Sequence, residues 1–192
     1  EDGPDQFWFV VERTIGGVTK QYVELYTPDI FLDSMISYSG SATSAVTGLA
    51  HLEGKTVQIT ADGAVHPDLV VSSGAIALNY TATDIKVGLK YVSKLTPTRP
   101  GQNAGAGTTL GKPKRWNTIF VRLEKSAIPI INGQRPPVRS PDTNYGNEQP
   151  ITSEDIEVKN LGYDLNGRIE IEQDLPLACH IISLFGTLSV GD

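Results

Sequence analysis

The chain has 192 residues, 39% of them hydrophobic and 20% charged, with a formal net charge of −6. That length suits one domain or two small ones and can bury a core without disulfides or metal. The composition argues against disorder and against a membrane class, and the acidic balance does not favour a nucleic-acid partner.

No apolar run approaches the length of a membrane span. There is no signal-peptide pattern, and the chain opens at Glu1 without an initiator Met, so it reads as a piece of a longer protein. The one cysteine, Cys179, excludes an internal disulfide and a Cys-cluster zinc site.

In chain order, the first clear element is FWFVVERTIGGVTKQYVELY, residues 7–26. Gly16 and Gly17 both tolerate positive φ, so a two-residue hairpin turn fits. That register pairs Thr14 with Thr19, Glu12 with Gln21, Val10 with Val23 and Trp8 with Leu25. One face then carries Trp8, Val10, Val23 and Leu25 and is apolar enough to pack. SYSGSATSAVTG follows and reads as an irregular connection. Short strands are expected at QITA, AVHPDLVV, AIALNY and IKVGLKY, where Ile85, Val87 and Leu89 alternate with Lys86, Gly88 and Lys90. Strands this short and close suggest a small barrel or sandwich.

HLEGKTVQITADGAVHPD, residues 51–68, gathers two histidines and three carboxylates around an Asp62-Gly63 turn. A two-residue turn pairs Ile59 with His66. A three-residue loop, Ala61 to Gly63, pairs Ile59 with Val65 and turns His66 to solvent. Matched apolar parity favours the second. Pro67, lacking an N–H, is expected to end the pairing. Nothing in the spacing makes three or four ligands converge, so no metal is expected.

Two long loops follow, residues 96–114 and 132–150; loops of this length are usually functional or mobile. AGAGTTLGKPK fails the phosphate-loop pattern, because Ala106 stands where glycine is needed and Pro113 where the magnesium-binding hydroxyl would be. GKPKRW sets Lys112, Lys114 and Arg115 beside Trp116, a weak phosphate-contact pattern weighed against a loop end that leads Trp116 inward. DTNYGNE, residues 142–148, offers oxygen ligands without matching the common calcium loop. WNTIFVRLEKSAIPII alternates Ile119, Val121 and Leu123 with Phe120, Arg122 and Glu124; a strand is favoured and a short helix competes. GRIEIEQD and CHIISLFGTLSV give two more strands. Glu170 and Glu172 alternate with Ile169 and Ile171, as on a strand's wet face. Cys179 and His180 are expected to be buried and inert. There is no Gly-x-Ser-x-Gly elbow, and three histidines leave few ways to build a triad. No catalytic, cofactor or metal residues are assigned.

Four blocks, WFVVERTIGGVTKQYVE, VTGLAHLEGKTVQITADGAVHPDLVVSSGAIAL, GKPKRWNTIFVRLEKS and GRIEIEQDLPLACHIISLFGTLSV, resemble in that order the later part of the tail tubular protein B or tail nozzle family of short-tailed phages and prophages. The resemblance runs from about residue 7 to the end. It implies a β-rich, non-enzymatic subunit of a hexameric ring around the DNA exit channel. It further implies neighbouring tail proteins and fibres as partners, DNA passing without sequence-specific binding, assembly in the bacterial cytoplasm and a place in the virion tail. The second block is also similar to a small β-barrel half-domain of ubiquitin-activating enzymes, whose chemistry needs a nucleotide loop that this chain lacks.

The expectation is therefore an all-β fold in two small lobes. A sandwich-like main lobe comprises residues 1–45 plus 94–192, with a barrel-like module, residues 46–93, inserted between the hairpin and the C-terminal strands. The two long loops, with Lys112, Lys114, Arg115, Trp116 and Tyr145, are the expected interface or ligand surface. The alternative function is a host-receptor or carbohydrate-binding module of the tail tip; a cell-wall hydrolase ranks last.

Overall fold

Alternating β-branched and polar residues give strands through most of this computed structural model, which describes residues 5–28, 30–101, 103–104, 107–137, 151–159 and 162–191. In chain order the strands are β1 (Trp8–Ile15), β2 (Val18–Leu25), β3 (Asp33–Thr47), β4 (Thr56–Ala61), β5 (Ala64–Val70), β6 (Ala75–Leu89), β7 (Ser93–Leu95), β8 (Asn103–Ala104), β9 (Gly107–Thr108), β10 (Lys114–Glu124), β11 (Ile130–Ile131), β12 (Asp155–Lys159), β13 (Ile171–Gln173) and β14 (His180–Val190). Among the described residues the one helical turn is a 3-10 turn at Ala50–Leu52. The fold is all-β.

The chain divides into two compact units and passes from the first to the second between Tyr91 and Val92. In the first, β1 and β2 form a two-stranded hairpin, and a separate sheet runs β3-β6-β4-β5. The hairpin register pairs Trp8 with Leu25, Val10 with Val23, Glu12 with Gln21 and Thr14 with Thr19, as expected. Gly16 and Gly17 take φ of 59° and 79°, which a primed two-residue turn demands.

β3 corrects two expectations. The stretch read as an irregular connection is a strand, because β6 supplies it with a partner. Residues 33–39 pair with 84–89, residues 45–47 pair with 75–77, and bulges separate the two segments. The small side chains carry no hydrophobic signal; the ladder alone makes the strand. The same pairing places residues 33–45 in the sheet of the expected 46–93 module, so a boundary at residue 46 falls inside β3. AIALNY and IKVGLKY likewise join into the single strand β6, since TATD between them carries neither glycine nor proline and Ala82 is buried.

The second hairpin also differs. Asp62 and Gly63 take φ of 49° and 76°, a two-residue turn, and Ile59 pairs with His66. Parity cannot choose the register here because β4 is buried on both faces from Val57 to Ala61. β5 continues past Pro67 through a bulge that re-pairs Leu69 with Val57. The core of this unit gathers Leu49, Leu52, Val57, Ile59, Ile85 and Val87.

In the second unit the sheets run β12-β10-β14, β11-β13-β7 and β8-β9. Ile119, Val121 and Leu123 face inward from β10 and pack with Ile131, Ile156, Val158, Ile169 and Ile171. Gly186 in β14 lies against the backbone of Thr118 and Ile119, where a Cβ has no room. The close approach of β10 and β14 thus depends on a missing side chain.

Candidate functional site

β10 starts at Lys114, so the basic stretch is the beginning of a strand, and its period of two separates the expected site residues. Lys114 and Trp116 turn inward; Arg115 turns out. Lys114 is buried, its backbone pairs with Asp164, and its Nζ donates to the Lys112 carbonyl at 3.0 Å. Trp116 packs against the core of the second unit, and its Nε1–H donates to the Gly167 carbonyl at 2.8 Å. Arg115 lies over the Tyr163 ring, 5.0 Å from its centroid. Lys112 is exposed. The four side chains therefore do not converge on one ligand. Tyr145, and the oxygen-bearing stretch 142–148, lie outside the described residues.

The histidines do not assemble either. His66 is 1% exposed rather than solvent-facing. Its Nδ1–H donates to the Pro67 carbonyl at 2.8 Å, while Nε2 accepts the Asn79 N–H at 3.1 Å, which fixes the neutral Nδ1–H tautomer. The ring also lies 5.4 Å from that of Tyr80. It joins β5 to the first half of β6, two strands that share no ladder within this sheet. His51 Nε2 lies 3.1 Å from the Ser34 carbonyl. His180, expected to be buried, is exposed, because β14 is an outer strand and its pleat sends Ile181 inward instead. Cys179 is half-buried, and burial pushes its thiol above the ordinary value, which suppresses the nucleophilic thiolate.

Glu170 and Glu172 do line a wet strand face. Lys94 bridges both, raising its own pKa through the hydrogen bond to Glu172 and lowering that of Glu172. Among the described residues, no three His, Cys, Asp or Glu side chains come together as metal ligands. None of their helices is long and apolar enough to cross a membrane.

Two surfaces that the sequence did not mark as binding surfaces carry more. On the outer face of β10 and β14, Phe120 and Phe185 stack with centroids 5.4 Å apart and planes 19° apart. Arg122 lies over Phe185 at 5.4 Å and forms a two-pronged pair with Asp155 at 2.8 Å. The other surface is the β1–β2 hairpin. Its expected core face is open to solvent: Trp8 is 58% exposed, Val10 69%, Val23 69% and Leu25 42%. Phe7, Phe9 and Tyr26 are exposed as well, with Phe9 and Tyr26 in edge-to-face contact at 6.5 Å. The hairpin is tied to the sheet where Arg13 pairs with Glu24 at 2.9 Å and Asp33 at 2.8 Å, and Ser34 donates to Glu24 at 3.0 Å; Tyr22 also lies against the His51 ring at 6.4 Å. Beside this tie lies a recess of about 690 Å³, lined by Phe9, Val11, Tyr26, Leu32, Met35 and Tyr91. Apolar parity made the face readable as a face; it could not say that nothing in the described chain covers it.

Comparison with known protein families and with curated proteins finds no match.

Proposed function

We propose that this chain is a structural component of a phage tail, a tail tube or nozzle subunit that builds part of the DNA-ejection conduit together with further copies of itself. Four sequence blocks in the family's order support the reading, and the exposed apolar hairpin carries it. A subunit that works alone has no use for so large an uncovered surface, whereas a ring subunit needs one. The reading places the protein in the virion tail after assembly in the bacterial cytoplasm. Neighbouring tail proteins and fibres are its partners, passing DNA meets it without sequence-specific contacts, and it has no catalytic role. Immunogold electron microscopy of intact particles, with antibody raised against this chain, is the test. Label at the distal end of a short tail is expected. Protein found in the lysate but absent from particles overturns the reading.

A second reading, a carbohydrate-binding face at the tail tip, is favoured by the Phe120–Phe185 stack with Arg122 and Asp155 at its rim. Flat apolar rings flanked by hydrogen-bonding groups suit the apolar face and hydroxyls of a sugar. Binding on a glycan array that is lost in F185A supports it; an array with no signal removes it.

A further inference from the structure

We infer that the β1–β2 hairpin is an exchange arm, and that its occupant is a second copy of this chain, which covers both of its faces. A two-stranded hairpin is marginal in water unless something packs on it. Among the described residues the arm's polar tie is at Arg13 and Glu24, with Val11, Ile15 and Tyr22 half-buried on that side, while Trp8, Val10, Val23 and Leu25 on the other face are left out.

The exposed areas decide between laying the arm flat and inserting it. With residue areas of about 150–250 Å², the Trp8, Val10, Val23 and Leu25 face offers on the order of 450 Å². A specific interface buries about 800 Å² per partner, so that face alone falls short. Adding Phe7, Phe9, Val18 and Tyr26, which are exposed to about the same degree, brings the total to roughly 900 Å². The arm reaches that size only if it is inserted with both faces covered.

Charge selects the occupant. The strands carry Glu12 and Glu24 against Arg13 and Lys20, so the arm has no net charge on a chain of −6. A neutral arm meets another acidic copy without repulsion and gains nothing from an anionic lipid surface. In a head-to-tail arrangement each arm enters the next subunit, which closes into a ring if the rotation allows. The proposal deepens the tail-subunit reading and rests on it for ring closure.

The test is analytical ultracentrifugation of the whole chain across the micromolar range, beside the V10K/V23E variant. The two positions are exposed and directly opposite each other, so the opposite charges support the ladder and the variant should keep the wild-type circular dichroism and melting temperature. Expected are concentration-dependent association of the wild type and an association constant at least about tenfold weaker in the variant. A second readout avoids the variant's folding: in W116F, Trp8 is the one remaining tryptophan, and its emission should move to shorter wavelength as concentration rises. A wild type that stays monomeric with unchanged Trp8 emission overturns the proposal. So does a well-folded variant that associates like the wild type, or a monomer that binds phosphatidylserine vesicles through the arm. Immunogold labelling stays independent: label on tails with a monomeric chain sinks the arm alone, and association without label sinks the tail reading alone.

Discussion

His66→Phe separates the observed register of the second hairpin from its rival. Phenylalanine keeps a ring of similar size and its contact with Tyr80, but loses both ring hydrogen bonds. The Asn79 N–H then points at carbon, and the Pro67 carbonyl loses the Nδ1–H. A buried polar group left unpaired costs about 1–3 kcal/mol, with the carbonyl at the low end because it has a second lone pair. The sum is about 2–3 kcal/mol. For a unit that ends at Tyr91, this lowers the melting temperature by about 10–20 °C. Urea unfolding followed by far-ultraviolet circular dichroism should show a lower midpoint with an unchanged m-value. Amide exchange adds a local readout, since the Asn79 N–H should lose protection first. A variant within ~0.5 kcal/mol of wild type, with Asn79 exchange unchanged, would put His66 on the surface and restore the three-residue loop.

Two glycines should be intolerant of a methyl group. At Gly88 a Cβ meets the Asp33 carbonyl and Leu32 Cβ at 2.8 Å, so G88A should cost about 1–3 kcal/mol in urea unfolding. G186A should cost at least as much, because the obstructing atoms are the backbone of β10 and cannot swing away. Asp62 accepts from the Asp84 N–H, the Thr83 hydroxyl and the Thr83 N–H, which hold its carboxyl below the ordinary range. A depressed folded pKa gives stability that is present above the unfolded value and lost as pH falls through the folded one. The wild type should therefore weaken below pH ~4, and D62N, which keeps the turn's positive φ, should lose that part of the acid dependence when unfolding midpoints are compared across this range. W116F removes the hydrogen bond to Gly167 and should cost about 1 kcal/mol by the same assay, with the β10–β14 ladder intact.

What could be read from the sequence followed how local the deciding physics was. Gly16-Gly17 dictates its turn by itself, so the first register was legible to the residue. Asp62-Gly63 was not, because parity informs only a strand with one wet face, and β4 has none between Val57 and Ala61. β3 escaped notice because its serines, glycine and alanines signal nothing until β6 lies beside them. The alternation of Ile119, Val121 and Leu123 was legible, but extended back to Lys114 it would have sent Arg115 inward and Lys114 and Trp116 outward; the bulge between Trp116 and Thr118 reverses the parity, and no local pattern announces it. The Phe120–Phe185 stack depends on the pairing of two strands distant in sequence, which no local pattern encodes.

β6 is the strand on which the sheet of the first unit depends: β3 and β4 both hydrogen-bond to it, and neither bonds to the other. The arm needs only its own turn and can close in about 1–10 μs, as can the β4–β5 hairpin, but β3 has no partner until residues 75–89 exist. On a ribosome, β3 therefore emerges and waits for β6, while the arm already samples its hairpin and displays its apolar side chains. An arm that appears this early is thus also able to capture a neighbouring nascent chain, and because its apolar side chains stay open in the folded chain, the hazard lasts until a partner covers them.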